Sequence, residues 1–359
     1  TLSFFHFVGC KLNEETLIEK YNTAFNEILN RIFKKIEQGK YSEIDQALLF
    51  NIDKILKKLE NDTLEYSEKV IPKMYKKNRE EVMKVLAVML GKEVVTGFVT
   101  IDERSVKEIQ NLFSDSMLDG LSQTKKNINK LVKRAVEINK LQQAHPEKLA
   151  EKMANELKSN GIMTFEDKLG RKYNLVDYSE MAIRTAGTRA VNKSTINASL
   201  ELENDLVKMS SHSSSCPICA VYEGRVYSIS GKDKRYPALS SINKGSMVSY
   251  STIHPFCRHR FTVYVEEFDD NSKQTRIDSN KPFIDTRSDY QRELYSKKQK
   301  QNVIKQRLMR NKEVIKAYEA TGISKLTEEQ KSEYNRLKLQ NNLLRKENKK
   351  IETWKQDKK

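Results

Sequence analysis

Through EETLIEKYNTAFNEILNRIFKKIEQG, apolar residues Leu17, Tyr21, Phe25, Ile28, Ile32, Phe33 and Ile36 recur at three- and four-residue steps, and the run stops at Gly39. That spacing puts all seven on one stripe of an α-helix. SEIDQALLFNIDKILKKLENDT repeats the pattern with Ser42 as its N-cap, and a third helix centres on EEVMKVLAVML and ends near Gly91. Each has one apolar stripe to bury, so antiparallel packing into an N-terminal helical bundle is expected over 1–92. GFVTID at 97–102 breaks the pattern before helix resumes in SVKEIQNLFSDSMLDGLSQTKKNINKLVKRAVEINK. LQQAHPEKLAEKMANELKSNGI gives another helix, started after Pro146 and stopped at Gly161, with His145 in a loop. These are read as connecting helices over 93–160.

The period then changes. MTFEDKLGRKYNL reads as a hairpin of two short strands around Lys168-Leu169-Gly170. Asp177 is expected to cap the helix YSEMAIRTAGTRAVNKSTINASLELEN, with Glu180 and Arg184 at ion-pair spacing. DLVKMSS, GRVYSIS and HRFTVYVEEF alternate as strands do. Together they define a small α+β module over 161–268. A polar linker is expected over 269–285, then two long helices over 286–359 with a break at Thr321-Gly322. Leu294, Ile304, Leu308 and Ile315 on one helix and Tyr334, Leu337, Leu344 and Ile351 on the other suit a helical hairpin or coiled-coil arm. The fold class is therefore α+β, predominantly helical.

Charge sharpens this division. The chain carries a net +16, and residues 286–359 hold 21 Lys and Arg against 10 Asp and Glu, or +11 of that total. A basic arm of this kind fits a polyanion or an acidic protein surface. Arg345, Lys346, Lys349 and Lys350 are the candidate contacts to a nucleic-acid backbone. Few aromatics interleave the lysines, so base stacking is not supported, and a solvated helix face is the plain alternative. With 38% hydrophobic residues, an extended helical protein with thin cores is expected rather than one large globule. The opening TLSFFHFVGC lacks a basic n-region and a cleavage pattern, so a buried terminal segment is expected rather than a signal peptide. No stretch approaches the roughly 20 apolar residues of a membrane span. Four cysteines do not make a secreted disulfide framework, and synthesis in a reducing cytoplasm is expected.

Three of those four cysteines fall in two knuckles. Cys216 and Cys219 form C-x2-C, and after 34 intervening residues His254 and Cys257 form H-x2-C. Two-residue spacing turns both side chains of a knuckle toward one ion, and two knuckles supply the four ligands of a closed structural Zn2+ site. His212 and His259 compete for the fourth position; Pro255 and Phe256, as a natural knuckle turn, favour His254. The alternatives are a redox pair and simple burial of small apolar thiols. A metal at the strand ends would staple a sheet too small to hold alone. The motifs of other zinc enzymes are missing: Ser215, not Pro, precedes Cys216, so the P-C-x2-C of a deaminase is absent, and there is no H-E-x2-H of a metalloprotease. A treble-clef-like nuclease remains as the enzymatic alternative, with His259 as general base and Arg258 on the phosphate.

TFEDKLGRKYNLVDYSEMAIRTAGTRA, SSHSSSCPICAVYEGRVYSISG, YPAL and HPFCRHRFTVYV, in this order, resemble the phage minor capsid protein family, relatives of the Mu F-type head morphogenesis proteins. The resemblance covers about residues 160–268. The family usually has Asn where this chain has Phe256. The resemblance implies a structural, non-enzymatic virion component, made in the host bacterial cytoplasm. Its partners would be the portal and other capsid proteins, with packaged DNA as a further, non-specific contact. It would act in head assembly, DNA packaging or DNA delivery. A non-specific DNA-binding virion protein is the other alternative.

Overall fold

The stripe at Leu17–Phe33 folds as expected into helix α1, Val8–Glu37, with Tyr21, Ile28 and Ile32 fully buried. The computed structural model describes residues 8–37, 46–93, 97–142, 155, 164–166, 170–242 and 252–358. The Gly39 stop, the Ser42 cap, His145, the helix expected after Pro146 and the tip of the 168–170 turn (up to Leu169) lie outside the described residues, as does the opening segment 1–7.

The second and third helices of the sequence reading are one continuous run. Helix α2, Gln46–Glu65, passes through a π-helical turn, Tyr66–Val70, into α3, Ile71–Leu90. Pro72 is the reason. Proline has no N–H to give and its ring crowds the preceding turn, so the helix widens there. Ile71 N–H bonds back to the Tyr66 carbonyl, one residue farther than in an α-helix. The Ser67 carbonyl, left without the Pro72 partner, accepts instead from Gln110 Nε2 at 2.8 Å. Gln110 belongs to α4, Thr100–Gln142.

The expected hairpin forms, β1 (Thr164–Glu166) paired antiparallel with β2 (Lys172–Asn174). Gly120 of α4 lets it approach closely, since a Cβ there would lie 3.0 Å from Leu175 and 3.4 Å from Phe165. Helix α5, Leu175–Glu201, starts one turn earlier than expected. Its first N–H groups are met by Asn174, whose Oδ1 accepts from Val176 N at 2.9 Å; Asp177 lies inside the first turn rather than capping it. Strands β3 (Leu206–Met209), β4 (Val226–Ser228) and β5 (Phe261–Val263) form one antiparallel sheet in the order β4-β3-β5, with Val207 opposite both Tyr227 and Val263. Between β3 and β4 lies the single helical turn α6, Pro217–Ala220. One apolar cluster gathers Ile196, Val207, Met209, Tyr227, Leu239 and Phe261 around Cys219 and Cys257.

The polar stretch 269–285 is not a free linker. It folds into helix α7, Ser272–Ser279, and is tied to the sheet by Arg225, whose guanidinium donates to the carbonyls of Ser279, Lys281 and Pro282. The basic arm is a helical hairpin of α8 (Asp289–Thr321) and α9 (Glu328–Asp357), turned at Gly322. Thr327 and Gln330 close a capping box at the start of α9. The antiparallel register is explicit. Lys297 lies over the Trp354 ring, Lys300 pairs with Glu347, and Asn311 donates to Asn341.

The chain divides into two compact units, each of three segments. One comprises Thr1–Leu17, Thr63–Ser116 and Glu180–Tyr295; the other comprises Ile18–Asp62, Met117–Ser179 and Ser296–Lys359. In the first unit a buried polar network joins α3, α4 and α5. Tyr75 donates to Asp102 at 2.7 Å, Arg79 pairs with Asp102 at 2.7 Å and with Glu201, and Asn78 donates to Ser194 and Thr195 of α5. Charges so deeply buried persist only when paired.

Candidate metal centre

Each knuckle is built by a short backbone device. Cys216 sits in extended conformation at the N-cap of α6, Pro217 starts the turn, and Cys216 Sγ accepts from Cys219 N at 3.3 Å. That bond holds both sulfurs on one side of the turn. In the second knuckle Cys257 N bonds to the His254 carbonyl at 3.0 Å, closing a tight turn over Pro255 and Phe256. Phe256 occupies the left-handed region at φ 64°. That region is uncommon for a bulky residue such as Phe and is better tolerated by Asn. Helix α5 anchors this knuckle from beneath. Thr185 Oγ1 accepts from Phe256 N at 3.2 Å, and Asn192 donates to the His259 carbonyl and accepts from Phe261 N, both at 3.0 Å. Thr185 and Asn192 are two helical turns apart and therefore on the same face.

The knuckles converge. His254 Nε2 lies 3.2 Å from Cys216 Sγ and 3.0 Å from Cys219 Sγ. Cys219 Sγ lies 3.8 Å from Cys257 Sγ, which is 3.7 Å from His259 Nδ1. Among the described residues two groups have donor atoms within 4.8 Å of one another: Cys216, Cys219 and His254, and Cys219, Cys257 and His259. Cys219 is common to both. Tetrahedral ligation with bonds of about 2.3 Å to sulfur and 2.0–2.1 Å to nitrogen places donors about 3.4–3.8 Å apart. The Cys219–Cys257 and Cys257–His259 separations fall in that range and those of His254 lie just below it; with soft thiolate-imidazole chemistry, these groups are able to hold a metal ion.

His212 belongs to neither group. Its Nε2 faces Ser210 Oγ and the Arg258 carbonyl, and its ring packs edge-on against His259 at 4.6 Å. His259 is 5% exposed, and Nε2 reaches Glu223 Oε2 at 2.9 Å and Ser215 Oγ at 3.3 Å. Glu223 is itself held by the His212 N–H at 3.1 Å and the Ser215 hydroxyl. Gly224, at φ 76°, makes the turn that points Glu223 inward; a β-carbon there would also meet Ser211 Oγ at 2.8 Å. Both ring nitrogens of His259 therefore face protein groups, so a role as general base would first require them to be freed.

The electrostatics are those of a thiolate cluster. The Cys216 thiol is pulled down to about 4, chiefly by its hydrogen bond with Cys219 and also by His254. Cys257 is pulled down to about 3 by Cys219 and His259 against the opposing effect of burial, while Cys219, between two sulfurs that ionise first, is pushed up. Burial opposes protonation of His259, but Cys257 and Glu223 overcome it and raise the imidazole to about 9.

Glu223, Asn192 and Arg287 escape a sequence reading of the site. Glu223 is 36 residues from His259, and Asn192 is 67, so no spacing marks them. Arg287 is buried, pairs with Asp285 at 2.7 Å and donates to the Ser215 carbonyl just before Cys216. The start of the basic arm is therefore part of the knuckle's support. Arg345, Lys346, Lys349 and Lys350 all lie exposed along α9, on the side away from buried Leu344 and Ile351.

No helix among the described residues is long and apolar enough to cross a membrane. No curated protein and no solved structure matches the chain. The sequence profile described as phage minor capsid protein 2 matches residues 11–356, running from α1 through the sheet and both knuckles to the end of the hairpin. With almost its whole length so matched, the chain belongs to the phage minor capsid protein 2 family.

Proposed function

We propose that this phage structural protein acts in the portal region of the head, in assembly, DNA packaging or DNA delivery. In this reading its sheet module is pinned by one Zn2+ held by Cys216, Cys219, Cys257 and His254. The observation that carries the metal reading is the convergence of two sequence-distant knuckles on Cys219, with donor separations of 3.0–3.8 Å. The sheet has only three strands of three or four residues, too short for independent stability without a packed face or a cross-link. A structural ion supplies that link and leaves no open coordination position for chemistry, which supports a non-enzymatic role.

The basic hairpin is the proposed contact to other virion proteins or to packaged DNA. Its four exposed cations at 345, 346, 349 and 350 follow one face and suit a regular array of phosphates or carboxylates. The test is a phage lacking residues 296–359. Deletion from 296 spares Arg287 and its bond to Ser215. Heads should then contain less of this protein or deliver DNA poorly, while the purified remnant still binds zinc. Particles that assemble and infect normally would remove the arm from the functional account.

A further inference from the structure

The two donor groups around Cys219 contain five ligands in all, one more than a tetrahedral ion takes. The two histidines are mounted very differently. His254 sits in a knuckle whose tip is exposed. Pro255 is open to solvent, Phe256 is 45% exposed at a left-handed φ, and the facing knuckle exposes Ile218 at 54%. His259 enters from the sheet end, is 5% exposed, and its carbonyl accepts from Asn192, which also holds the Phe261 N–H two residues on. Its Nε2 meets a carboxylate that two other groups, the His212 N–H and the Ser215 hydroxyl, hold in place, and its Nδ1 faces Cys257. A carboxylate on the far nitrogen fixes the tautomer and the ring orientation of a metal-ligating histidine and raises its basicity.

Resting on the zinc reading above, we infer that His259, positioned by Glu223, is a fifth donor that takes the coordination position of His254 when the exposed tip swings away. Cys216, Cys219 and Cys257 remain bound throughout, so the tip at 254–256 moves, at the cost of the Phe256 N bond to Thr185, without loss of the ion. The knuckle is then a metal-retaining hinge, with Glu223 as a positioning residue that touches the ligand and not the metal.

The test uses the purified full chain, stripped and reloaded with Zn2+ or Co2+ alone, with metal counted per chain and affinity measured by chelator competition. His254→Ala is expected to keep one metal per chain with affinity lowered about 10-fold or less, and the double variant His254→Ala, His259→Ala to hold none stoichiometrically. In the His254→Ala background, Glu223→Ala should cost a further roughly 10–100-fold, and Glu223→Gln, whose amide oxygen still accepts from Nε2–H, should recover most of it. The Co2+ absorption bands should change between wild type and His254→Ala while keeping their tetrahedral intensity. A wild-type chain that binds zinc beside a folded His254→Ala chain that binds none would overturn the inference and leave the zinc reading standing. So would Glu223→Ala without effect in the His254→Ala background. A wild-type chain without metal affinity would instead overturn the zinc reading and this inference with it.

Discussion

In the α8–α9 hairpin, Ile304, Leu344 and Ile351 form a small apolar cluster with Leu308 packed on it, and ion pairs and amide bonds flank the seam. In the sheet module, eight buried residues gather around Cys219 and Cys257, yet the strands they hang on are three or four residues long. The hairpin spreads a thin apolar stripe along long helices whose backbone bonds are all internal. The sheet has a dense core but little backbone pairing, and it relies on side chains that cross between segments: Asn192, Arg225, Arg287 and the Cys/His cluster. The difference teaches where a single change is felt. Along the hairpin, loss of one contact is local; in the module, one residue such as Cys219 serves several segments at once.

The two regions have separate reporters, because Trp354, the single tryptophan, sits in the hairpin against Lys297, while metal content would report the module under the proposed zinc site. The largest effect is expected from Cys219→Ser, which removes the ligand common to both groups. Structural zinc in small modules carries on the order of 10 kcal/mol, so this variant should lose metal and expose 206–263 to protease while Trp354 fluorescence stays native. Leu344→Ala should do the reverse, lowering hairpin stability in the Trp354 denaturation curve by about 2 kcal/mol, the low end for a buried leucine, without changing metal content. Asn192→Ala leaves Phe261 N and the His259 carbonyl without their partner and should destabilise the module by about 1–3 kcal/mol, read as faster amide exchange at 259–263. Thr327→Ala, which opens the capping box of α9, should cost about 1 kcal/mol in the Trp354 curve. Smallest for stability is replacement of Arg345, Lys346, Lys349 and Lys350 by Gln, within about 0.5 kcal/mol. For retention on duplex DNA it should lower the slope of log K against log salt by up to about 4, if each cation neutralises one phosphate.

Much of this was legible in the sequence. Period and turn residues gave the helices, the hairpin strands, the break at Gly322 and the apolar seam of Leu294, Ile304, Ile315, Tyr334, Leu337, Leu344 and Ile351, all of which are buried. Knuckle spacing singled out Cys216, Cys219, His254 and Cys257, which the fold brings together in two groups that share Cys219 and also take in His259. What stayed hidden depends on tertiary partners. The second and third helices read as separate, yet the π-turn and Gln110 carry one helix across Pro72. The stretch 269–285 is polar and reads as a linker, but its carbonyls are what Arg225 requires. Asp177 is a good capping residue by type, and Asn174 takes the position because β2 delivers it there. Glu223 is marked by nothing in its neighbourhood except the glycine that turns it toward His259.

The most direct measurement is elemental analysis of the purified full chain beside Cys219→Ser, with a melting curve for each. One zinc per wild-type chain, none in the variant, and a lowered melting temperature for the module are the expected results. A wild-type chain free of zinc after growth and purification with zinc present, with the serine variant melting unchanged, would contradict the account.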